Sequence, residues 1–404
     1  MTDSAFLTQV ILRNYKSIAN CDVRLGPLTY LVGPNGSGKS NFLDALHFVR
    51  DALDSSLDNA MRLRGGVSEV RRRSSGHPTH FGIRFQFRMR NGQLGYYAFQ
   101  IGAVANDLYE VQKEECVISG DDSLRGHFFR VEKGEVIDTS EKTFPAVMPD
   151  RLALVNASGS PMFRPTFDAL TAMGFYNLNP KLIRDHQKPQ DGRLLKSAGE
   201  NIASVIGHLE RTAPQSKKII EEYLQIVVPT IRGVRRKKIG ARETLEFQEA
   251  MAGIQDPWRF HAQNISDGTL RALGILTALF QGNQDHAPSL IGIEEPETAL
   301  HPGASDALRE ALQRASEKAQ VIVTTHSPEL LDDMDLPLES LLAVEADDGE
   351  TRLAPVDEGS RKILRERLYS AGELLRMNQL EPDPDDLREQ DDIRQSDLFG
   401  EWKP

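Results

Sequence analysis

The fold of this chain is decided by eight consecutive residues, Gly33-Pro34-Asn35-Gly36-Ser37-Gly38-Lys39-Ser40. They match the phosphate-binding pattern of two glycines five positions apart, followed by Lys and then by Ser or Thr. The apolar run 28–32 before them predicts a buried strand, and residues 41–49 after them carry apolar side chains at helical spacing. A strand, a glycine-rich loop and a helix in this order predict a P-loop. The simpler alternative is a glycine-rich turn that binds nothing.

The residue types in this loop explain the expected chemistry. Because glycine has no side chain, backbone N–H groups can close around phosphate oxygens, and the following helix adds the positive end of its dipole. Lys39 is predicted to reach the β- and γ-phosphates of a bound nucleotide, and Ser40 is predicted to ligate Mg²⁺. The full set of predicted nucleotide contacts in this region is Gly33, Pro34, Asn35, Gly36, Ser37, Gly38, Lys39, Ser40 and Asn41.

Composition limits the classes of protein to consider. The chain has 404 residues, which predicts two lobes or a domain with a large insertion. Its net charge of −11 gives no general attraction to nucleic acid. No apolar run reaches the ~18 residues needed to span a bilayer, and the N-terminus does not resemble a signal peptide, so we expect a cytoplasmic protein. Two cysteines are too few for a disulfide framework or a zinc site.

The middle of the chain changes character twice. Residues 79–136 alternate apolar and polar side chains around the turn Asn91-Gly92, which predicts a mainly antiparallel sheet. Residues 150–230 favour helices, with candidates at 165–173, 201–211 and 216–227. A basic run follows, which is either a solvated edge or a contact with DNA or RNA: Arg235, Arg236, Lys237 and Lys238.

Candidate catalytic residues return at the ends of two apolar runs. Residues 289–293 lead into Glu294 and Glu295, and residues 320–325 lead into His326. In a parallel nucleotide-binding sheet these ends face the ligand. Glu294 is therefore predicted to hold Mg²⁺ through water, Glu295 to polarise an attacking water, and His326 to sense the γ-phosphate. Taken alone, a single histidine is more often structural.

A further candidate lies at the start of the apolar helix predicted at 270–280. Ser266-Asp267-Gly268 reads as an N-cap for this helix. It also reads as a second helix end that binds phosphate, and the two interpretations are compatible.

These motifs, in this order, resemble a known family. They are the segment 11–18 with sequence Ile-Leu-Arg-Asn-Tyr-Lys-Ser-Ile, the P-loop, the segment 265–270, the segment 293–302 with sequence Ile-Glu-Glu-Pro-Glu-Thr-Ala-Leu-His-Pro, and the segment 324–328. The chain resembles ABC-type ATPases of the RecF, Rad50 and SMC group, and most of all stand-alone bacterial AAA-family ATPases similar to the OLD proteins. The resemblance covers roughly residues 5–50 and 255–335. It implies an α/β fold, namely an ABC-ATPase-type P-loop domain with an antiparallel β lobe and a helical insertion.

The resemblance also implies roles for single residues. Ser266, Gly268 and Thr269 fall at the signature motif, which in this family contacts the ATP γ-phosphate bound to the opposite subunit. It therefore implies a homodimer that encloses two ATP molecules. Glu294 takes the Walker-B magnesium position, Glu295 that of the catalytic base and His326 that of the switch histidine, while residues 299–301 fall at the D-loop.

The sequence departs from the family in three places. Glu294 stands where many relatives have Asp, and His301 stands where transporter ATPases have Asp. The signature lacks the Leu-Ser-Gly-Gly-Gln form. The block between the two halves is short and has no sustained heptads, so no long coiled-coil arms are expected.

Five segments are predicted. They are an N-terminal ATPase lobe at 1–150, a mainly helical insertion at 151–255, a C-terminal ATPase lobe at 256–340, a β-hairpin with helices at 341–380, and an acidic tail at 381–404. The tail is expected to be disordered, or else to dock a partner. Glu345, Asp347 and Asp348 are acidic, as the metal ligands of a nuclease domain are, but fewer than 60 residues follow them, so a hairpin is predicted.

The predicted function is an ATP-hydrolysing switch that dimerises around ATP in DNA repair or anti-phage defence. It is expected to work with a separate effector protein, a nuclease or a toxin. Two alternatives stay open: the ATP-binding subunit of a membrane transporter, and a low-turnover, ATP-gated antitoxin or regulator.

Overall fold

A computed structural model of the protein describes residues 6–74, 78–119, 126–250, 257–282, 287–392 and 398–399. Within them the strands are β1 Leu7–Tyr15, β2 Ile18–Arg24, β3 Leu28–Val32, β4 His80–Arg88, β5 Leu94–Ala103, β6 Tyr109–Ile118, β7 His127–Glu132, β8 Glu135–Thr139, β9 Gly174–Tyr176, β10 Ile231–Ile239, β11 Arg242–Glu249, β12 Trp258–His261, β13 Leu290–Glu294, β14 Gln320–Thr325, β15 Leu341–Asp347 and β16 Glu350–Pro355. The helices are α1 Lys39–Asp54, α2 Leu57–Arg62, α3 Val67–Val70, α4 Ala153–Ala157, α5 Arg164–Thr171, α6 Pro180–Arg184, α7 Ile202–Thr212, α8 Pro214–Val227, α9 Asp267–Phe280, α10 Ser305–Ser316, α11 Glu358–Arg365, α12 Ala371–Arg376 and α13 Pro384–Asp392.

The chain divides into two compact units. Among the described residues, unit 1 comprises 6–173 and 334–399, and unit 2 comprises 174–333. The divisions therefore fall at 173 and 333, whereas the sequence predicted boundaries at 150, 255 and 340. The C-terminal hairpin and helices belong to the same unit as the P-loop.

Unit 1 contains a seven-stranded antiparallel sheet with the strand order β2-β1-β4-β5-β6-β7-β8. The tight turn between β4 and β5 uses Gly92, whose φ of 88° is the left-handed conformation that glycine adopts without strain. The antiparallel strands predicted from residues 79–136 are present, and β1 and β2 extend the same sheet.

The core of unit 1 lies between α1 and one face of this sheet. α1 buries Phe42, Leu46 and Val49 at helical spacing. Its Phe48 ring packs edge-on against Tyr15 of β1 and Phe81 of β4, at centroid distances of 6.0 and 5.6 Å. Burial of one such ring stabilises the fold by roughly 1.5–3 kcal/mol. This packing fixes the helix that follows the P-loop.

Two further strands of unit 1 support β3, the strand before the P-loop. β15 runs parallel to β3, and β16 runs antiparallel to β15. The hairpin predicted around Glu345 and Asp348 is therefore present, with Asp348 at its turn.

Unit 2 contains a parallel arrangement and a separate antiparallel sheet. β13 lies between β14 and β9 and is parallel to both, as the sequence predicted for β13 and β14. In chain order, α9 precedes β13, and α10 lies between β13 and β14. The helices α7 and α8 match those predicted at 201–211 and 216–227. The segment predicted as mainly helical also holds β10 and β11, which form an antiparallel sheet with β12.

The C-terminal tail differs from the prediction of disorder. Residues 384–392 form α13, which packs against β2 and β16. Gln390 joins the two strands, because its Oε1 accepts from the Asp22 N–H and its Nε2 donates to the Leu353 carbonyl. Side chains thus order part of an acidic segment. The remaining tail residues, 393–397 and 400–404, lie outside the described residues.

Among the residues that the structure describes, no helix is both long enough and apolar enough to cross a bilayer.

Candidate functional site

The P-loop connects β3 to α1 in unit 1. Gly36 and Gly38 have φ values of 80° and 98°, so both positions need the left-handed conformation that glycine tolerates. Lys39 is buried, and its Nζ donates to the carbonyls of Gly33 and Pro34, both at 2.8 Å. The ammonium group is therefore held at the mouth of the loop by backbone oxygens.

The donor groups of this loop fit a polyphosphate. The N-cap of α1 is Gly38, which has no side chain that could accept from the first N–H groups of the helix. Asn35, Gly36 and Ser40 are exposed, whereas Ser37 is buried and its Oγ has no hydrogen-bond partner among the described residues. Backbone donors, a cation and an unpartnered hydroxyl are the groups that phosphate oxygens require.

The hairpin β15–β16 packs directly behind the P-loop. A Cβ on Gly33 would lie 2.0 Å from the Val344 carbonyl oxygen, and a Cβ on Gly38 would lie 1.9 Å from Thr351 Oγ1. These two glycines are therefore required by packing as well as by phosphate chemistry. Sequence reasoning assigned no role to Val344 or Thr351.

A hydrogen-bonded chain ties this hairpin to the loop. Thr351 Oγ1 lies 2.7 Å from Ser17 Oγ, which also accepts from Asn41 Nδ2 at 2.6 Å. The Thr351 N–H donates to the Ser17 carbonyl at 2.9 Å. Asn41, predicted as a nucleotide contact, thus also braces the turn between β1 and β2. Ser17 lies in one of the motifs of the resemblance, but no local signal pointed to Thr351.

The helix α1 is fixed by a charged cluster on the side of Asp44. This carboxylate accepts from Tyr15 Oη at 2.7 Å and pairs with Lys16 and Arg64. Burial alone would raise the pKa of Asp44, but the charges of Arg64 and Lys16 bring it below its usual value. The start of the helix that carries Lys39 and Ser40 is therefore anchored to β1.

The predicted Walker-B residues lie at the end of β13 in unit 2. We call residues 294–299 the carboxylate turn. Register pairs Glu294 with Thr324 of β14, and the Glu295 N–H donates to the Thr324 carbonyl at 3.0 Å. Glu295 Oε1 lies 3.4 Å from His326 Nδ1. The structure thus brings together the predicted base and the predicted switch histidine.

The backbone of the carboxylate turn is strained. Glu295 and Ala299 have φ values of 42° and 65°, in the left-handed region that residues with side chains rarely adopt. Such a conformation costs on the order of 1–3 kcal/mol and persists where neighbouring groups enforce it.

Arg271 and Glu297 hold the carboxylate turn in this conformation. The sequence analysis assigned no role to either residue. Arg271 of α9 donates to the carbonyls of Glu294 and Glu295 at 3.3 and 3.1 Å. Burial lowers the pKa of Arg271, and the nearby carboxylates oppose this effect. Glu297 Oε1 accepts from Thr325 Oγ1 at 2.7 Å and from the His326 N–H at 3.3 Å. A signal was available for Glu297, because it lies inside the motif that carries the resemblance.

The predicted signature residues start α9 as expected. Ser266 is the N-cap, and its Oγ accepts from the Thr269 N–H at 3.2 Å. A Cβ on Gly268 would lie 2.5 Å from the Ala299 carbonyl oxygen. The glycine therefore allows the carboxylate turn to approach the N-terminus of α9 within unit 2.

The basic run lies on β10 and is largely paired. Arg235 donates to Glu246 at 2.7 Å, and Lys237 lies 3.4 Å from the same carboxylate. Arg236 lies 3.6 Å from Glu243 on β11. Lys238 is exposed. Nucleic-acid contact through these four residues stays a prediction, and the two carboxylates of Glu243 and Glu246 offset about half of their charge.

Two family models match this chain. Residues 6–125 match a model described as "AAA ATPase domain", and residues 193–332 match a model described as "AAA domain, putative AbiEii toxin, Type IV TA system". The first segment contains the P-loop, and the second contains the signature residues, the carboxylate turn and His326.

Curated proteins that resemble this chain are OLD nucleases and, over a short segment, RecF. The chain is 24% identical over 366 residues to the Old nuclease of Escherichia phage P2, which covers 80% of this chain and 57% of that protein. The OLD nuclease of Thermus scotoductus is 24% identical over 334 residues, with 80% and 59% covered. The chain thus spans under three fifths of the length of these relatives. RecF of Aliivibrio fischeri is 36% identical over 44 residues, or 11% of this chain and 12% of that protein.

Solved structures of SMC heads share the fold. An Smc head bound to the C-winged helix domain of ScpA superposes with a TM-score of 0.55 at 15% identity, over 89% of this chain and 100% of that one. An Smc head with an extended coiled coil from Pyrococcus furiosus, bound to the C-terminal domain of ScpA, gives 0.50 at 13% identity, over 89% and 99%. The α/β fold of a P-loop ABC-type ATPase, predicted from the sequence, is confirmed.

Proposed function

We propose that this chain is an ATPase of the OLD type, related to the ABC, SMC and RecF ATPases, which binds and hydrolyses ATP and acts as a switch that dimerises around the nucleotide. The observation that carries the proposal is the pair Glu295 Oε1–His326 Nδ1, 3.4 Å apart at the ends of neighbouring parallel strands. A carboxylate beside an imidazole at a strand end can orient a water and accept its proton.

Each P-loop residue takes a defined part in this proposal. Lys39 and the N–H groups at the start of α1 bind the phosphates. Because Lys39 is buried, water competes less with the phosphates for its ammonium group. Ser40 and Glu294 are proposed as magnesium ligands. The ion would neutralise charge on the phosphates when bound.

Hydrolysis is assigned to the carboxylate turn. Glu295 takes the proton of the attacking water, and His326 holds the Glu295 carboxylate in place and responds to the γ-phosphate. Arg271 and Glu297 hold the backbone on either side of these groups. Because the strained turn is fixed before reaction, little reorganisation is needed when charge develops.

Dimerisation is proposed because the chain carries one P-loop and one signature. In a symmetric pair, each signature would face the ATP bound by the partner. The two Smc-head neighbours are described as bound to domains of ScpA, which supports a partner protein for this chain as well. A role in DNA repair or anti-phage defence, with an effector nuclease or toxin, remains part of the proposal.

Complementation between two inactive variants tests the dimer. Lys39→Ala removes the P-loop cation. Ser266→Asp keeps a good N-cap but places a carboxylate where the partner's phosphate would lie. The matched control is Ser266→Asn, which caps equally well without charge. Each inactive variant alone is expected to lack hydrolysis.

An equal mixture is expected to recover about a quarter of wild-type activity, since half of the dimers are mixed and each mixed dimer has one intact site. A mixture that stays inactive while Ser266→Asn hydrolyses ATP contradicts a shared site. If the wild type itself shows no ATP-dependent phosphate release, the hydrolytic assignment is wrong.

One alternative has a specific observation in its favour. The model matching residues 193–332 is described in terms of a type IV TA system. A low-turnover, ATP-gated regulator is therefore the second candidate. Tight ATP binding with hydrolysis slower than nucleotide exchange would favour it over the switch that turns over.

A further inference from the structure

The last described residues of the chain, Leu398 and Phe399, lie on the outer face of the seven-stranded sheet. Leu398 is 2% exposed, although it lies six residues beyond the end of α13. A Cβ on Gly82 of β4 would lie 2.5 Å from Leu398 Cδ1. The Leu398 side chain therefore fills a space that exists only because β4 has a glycine at this position.

The sheet register shows that this face is distinct from the core. Phe81, Ile83 and Phe85 of β4 alternate with Gly82 and Arg84, and strand side chains alternate between faces. Phe81 packs against Phe48 of α1, so Gly82 and Arg84 point to the opposite face of the sheet. Across the strands, Arg84 pairs with Ile11 of β1 and Ala98 of β5.

This outer face is buried, as a docking surface is. Exposed fractions are 3% for Ile11, 3% for Arg84, 2% for Tyr96 and 0% for Ala98. An outward face of an antiparallel sheet is ordinarily polar and solvated. The apolar residues and the missing side chain at Gly82 instead form a surface suited to an apolar ligand.

Polar groups around the surface select a peptide. Arg84 Nη1 donates to the Leu398 carbonyl at 3.2 Å. The guanidinium lies 4.1 Å from the Tyr96 ring centroid, and Tyr96 Oη donates to Glu115 at 2.8 Å, so the arginine is held in position. Lys113 Nζ lies 4.5 Å from the Phe399 ring centroid. The surface therefore contacts two adjacent residues in three ways. It binds the carbonyl of the leucine, encloses the leucine side chain and places a cation over the aromatic ring.

We propose that this surface, formed by Gly82, Arg84, Tyr96 and Lys113 and called here the Leu-Phe groove, is a recognition site for a short peptide with adjacent Leu and Phe. Its occupant in the free protein is the chain's own Leu398-Phe399. The groove and the tail thus form an intramolecular pair that a partner carrying the same two residues binds only by displacement.

Energetics favour a tail that is bound yet exchangeable. Burial of one leucine contributes roughly 1.5–3 kcal/mol, and a cation over an aromatic ring contributes about 0.5–1 kcal/mol. Two residues alone would therefore bind weakly from solution. Because Gln390 anchors α13 to β2 and β16, the tether to Leu398 is short, and a short tether gives an effective concentration near the millimolar range.

Peptide binding to the full chain tests the proposal. The probe is a fluorescent peptide with the sequence of residues 393–404, measured by anisotropy. Wild type is compared with the full-length double variant Leu398→Ala/Phe399→Ala, whose own tail lacks both anchors. The double variant is expected to bind the peptide roughly twofold more tightly than the wild type, because a tail whose effective concentration is close to its own Kd occupies about half of the grooves. A peptide with Ala at both anchor positions is expected not to bind.

A groove variant separates recognition from loss of fold. Gly82→Val, added to the double variant, fills the leucine pocket and is expected to abolish peptide binding. The matched control is Arg88→Val, which places the same side chain on the same face of β4 at its exposed end, six residues away, and is expected to leave binding intact. Circular dichroism melts confirm that the variants compared are folded.

Three peptide-binding results would overturn the proposal. They are no peptide binding by the folded double variant, equal binding by wild type and double variant, and undiminished binding by the Gly82→Val chain. A Leu398-dependent dimer in light scattering would also overturn it, since the occupant would then be the tail of a second copy.

Discussion

The P-loop and the carboxylate turn reach a fixed geometry in opposite ways. The P-loop places its left-handed positions on glycines and is wedged against Val344 and Thr351 of a neighbouring hairpin. The carboxylate turn places left-handed positions on Glu295 and Ala299 and is held by hydrogen bonds from Arg271. Close packing fixes the P-loop. In the carboxylate turn, hydrogen bonds from a charged side chain hold a strained backbone in place. Changes in the first should therefore alter nucleotide affinity, and changes in the second should alter rate.

The largest effect is expected at Glu295. Glu295→Gln keeps the shape of the side chain but removes its capacity to accept a proton, so kcat for ATP hydrolysis should fall by roughly 10²- to 10⁴-fold. The Kd for ATP should change by less than about threefold if the residue acts only on rate. Phosphate release and binding of a fluorescent ATP analogue measure the two quantities. Normal hydrolysis by this variant would refute the assignment of the base.

Arg271 tests whether the strain of the carboxylate turn needs support. Arg271→Met keeps the length of the side chain but removes the donors to the Glu294 and Glu295 carbonyls. Loss of the equivalent of one charge-assisted hydrogen bond, at about 1.5–3 kcal/mol, predicts a decrease in kcat of roughly 10- to 100-fold. Arg271→Lys retains a charge without the fork geometry, so its kcat should lie between those of the wild type and Arg271→Met. A weakened ATP affinity with unchanged kcat would contradict the prediction that Arg271 affects the rate of hydrolysis rather than nucleotide binding.

Thr351 tests the packed region. Thr351→Val removes the hydroxyl that contacts Ser17 Oγ while keeping the branched shape. One neutral hydrogen bond contributes about 0.5–1.5 kcal/mol, so the Kd for ATP should rise by roughly 2- to 10-fold with little change in kcat. Thr351→Ser keeps the hydroxyl and is the matched control. If the two variants bind ATP equally well, the hydroxyl does not brace the loop.

Short local motifs were sufficient to predict the candidate ligand-binding residues, but not the residues that hold them in place. Lys39, Ser266, Glu295 and His326 lie in short local motifs, and the structure places each at the expected start of a helix or end of a strand. Thr351 and Gly38 are more than three hundred positions apart, so no local pattern relates them. The prediction of a disordered tail was wrong for residues 384–392 for a similar reason. The acidic composition favours disorder, whereas Gln390 forms hydrogen bonds with two strands that are distant in sequence.

The smallest effect on ATP turnover is expected at Glu114, which lies away from both regions in the interior of unit 1. This carboxylate of β6 accepts from the N–H groups of Ala153 and Leu154 and from Tyr97 Oη. Burial raises its pKa to about 7, and these three hydrogen bonds only partly oppose the effect. Between this value and the unfolded pKa of about 4.5, the folded chain holds a proton that the unfolded chain has released.

Because the folded state binds more protons in that window, the stability of unit 1 should fall as pH rises from about 4.5 to 7. A difference of about 2.5 pKa units corresponds to roughly 3 kcal/mol between the two ends of the window. Glu114→Gln lacks the titration and serves as the reference. Hydrogen exchange of the β6 amides, compared between the two chains at pH 5 and pH 8, should show the wild type gaining protection relative to Glu114→Gln at the lower pH. The opposite sign would mean that the three hydrogen bonds outweigh burial and keep Glu114 ionised in the folded protein.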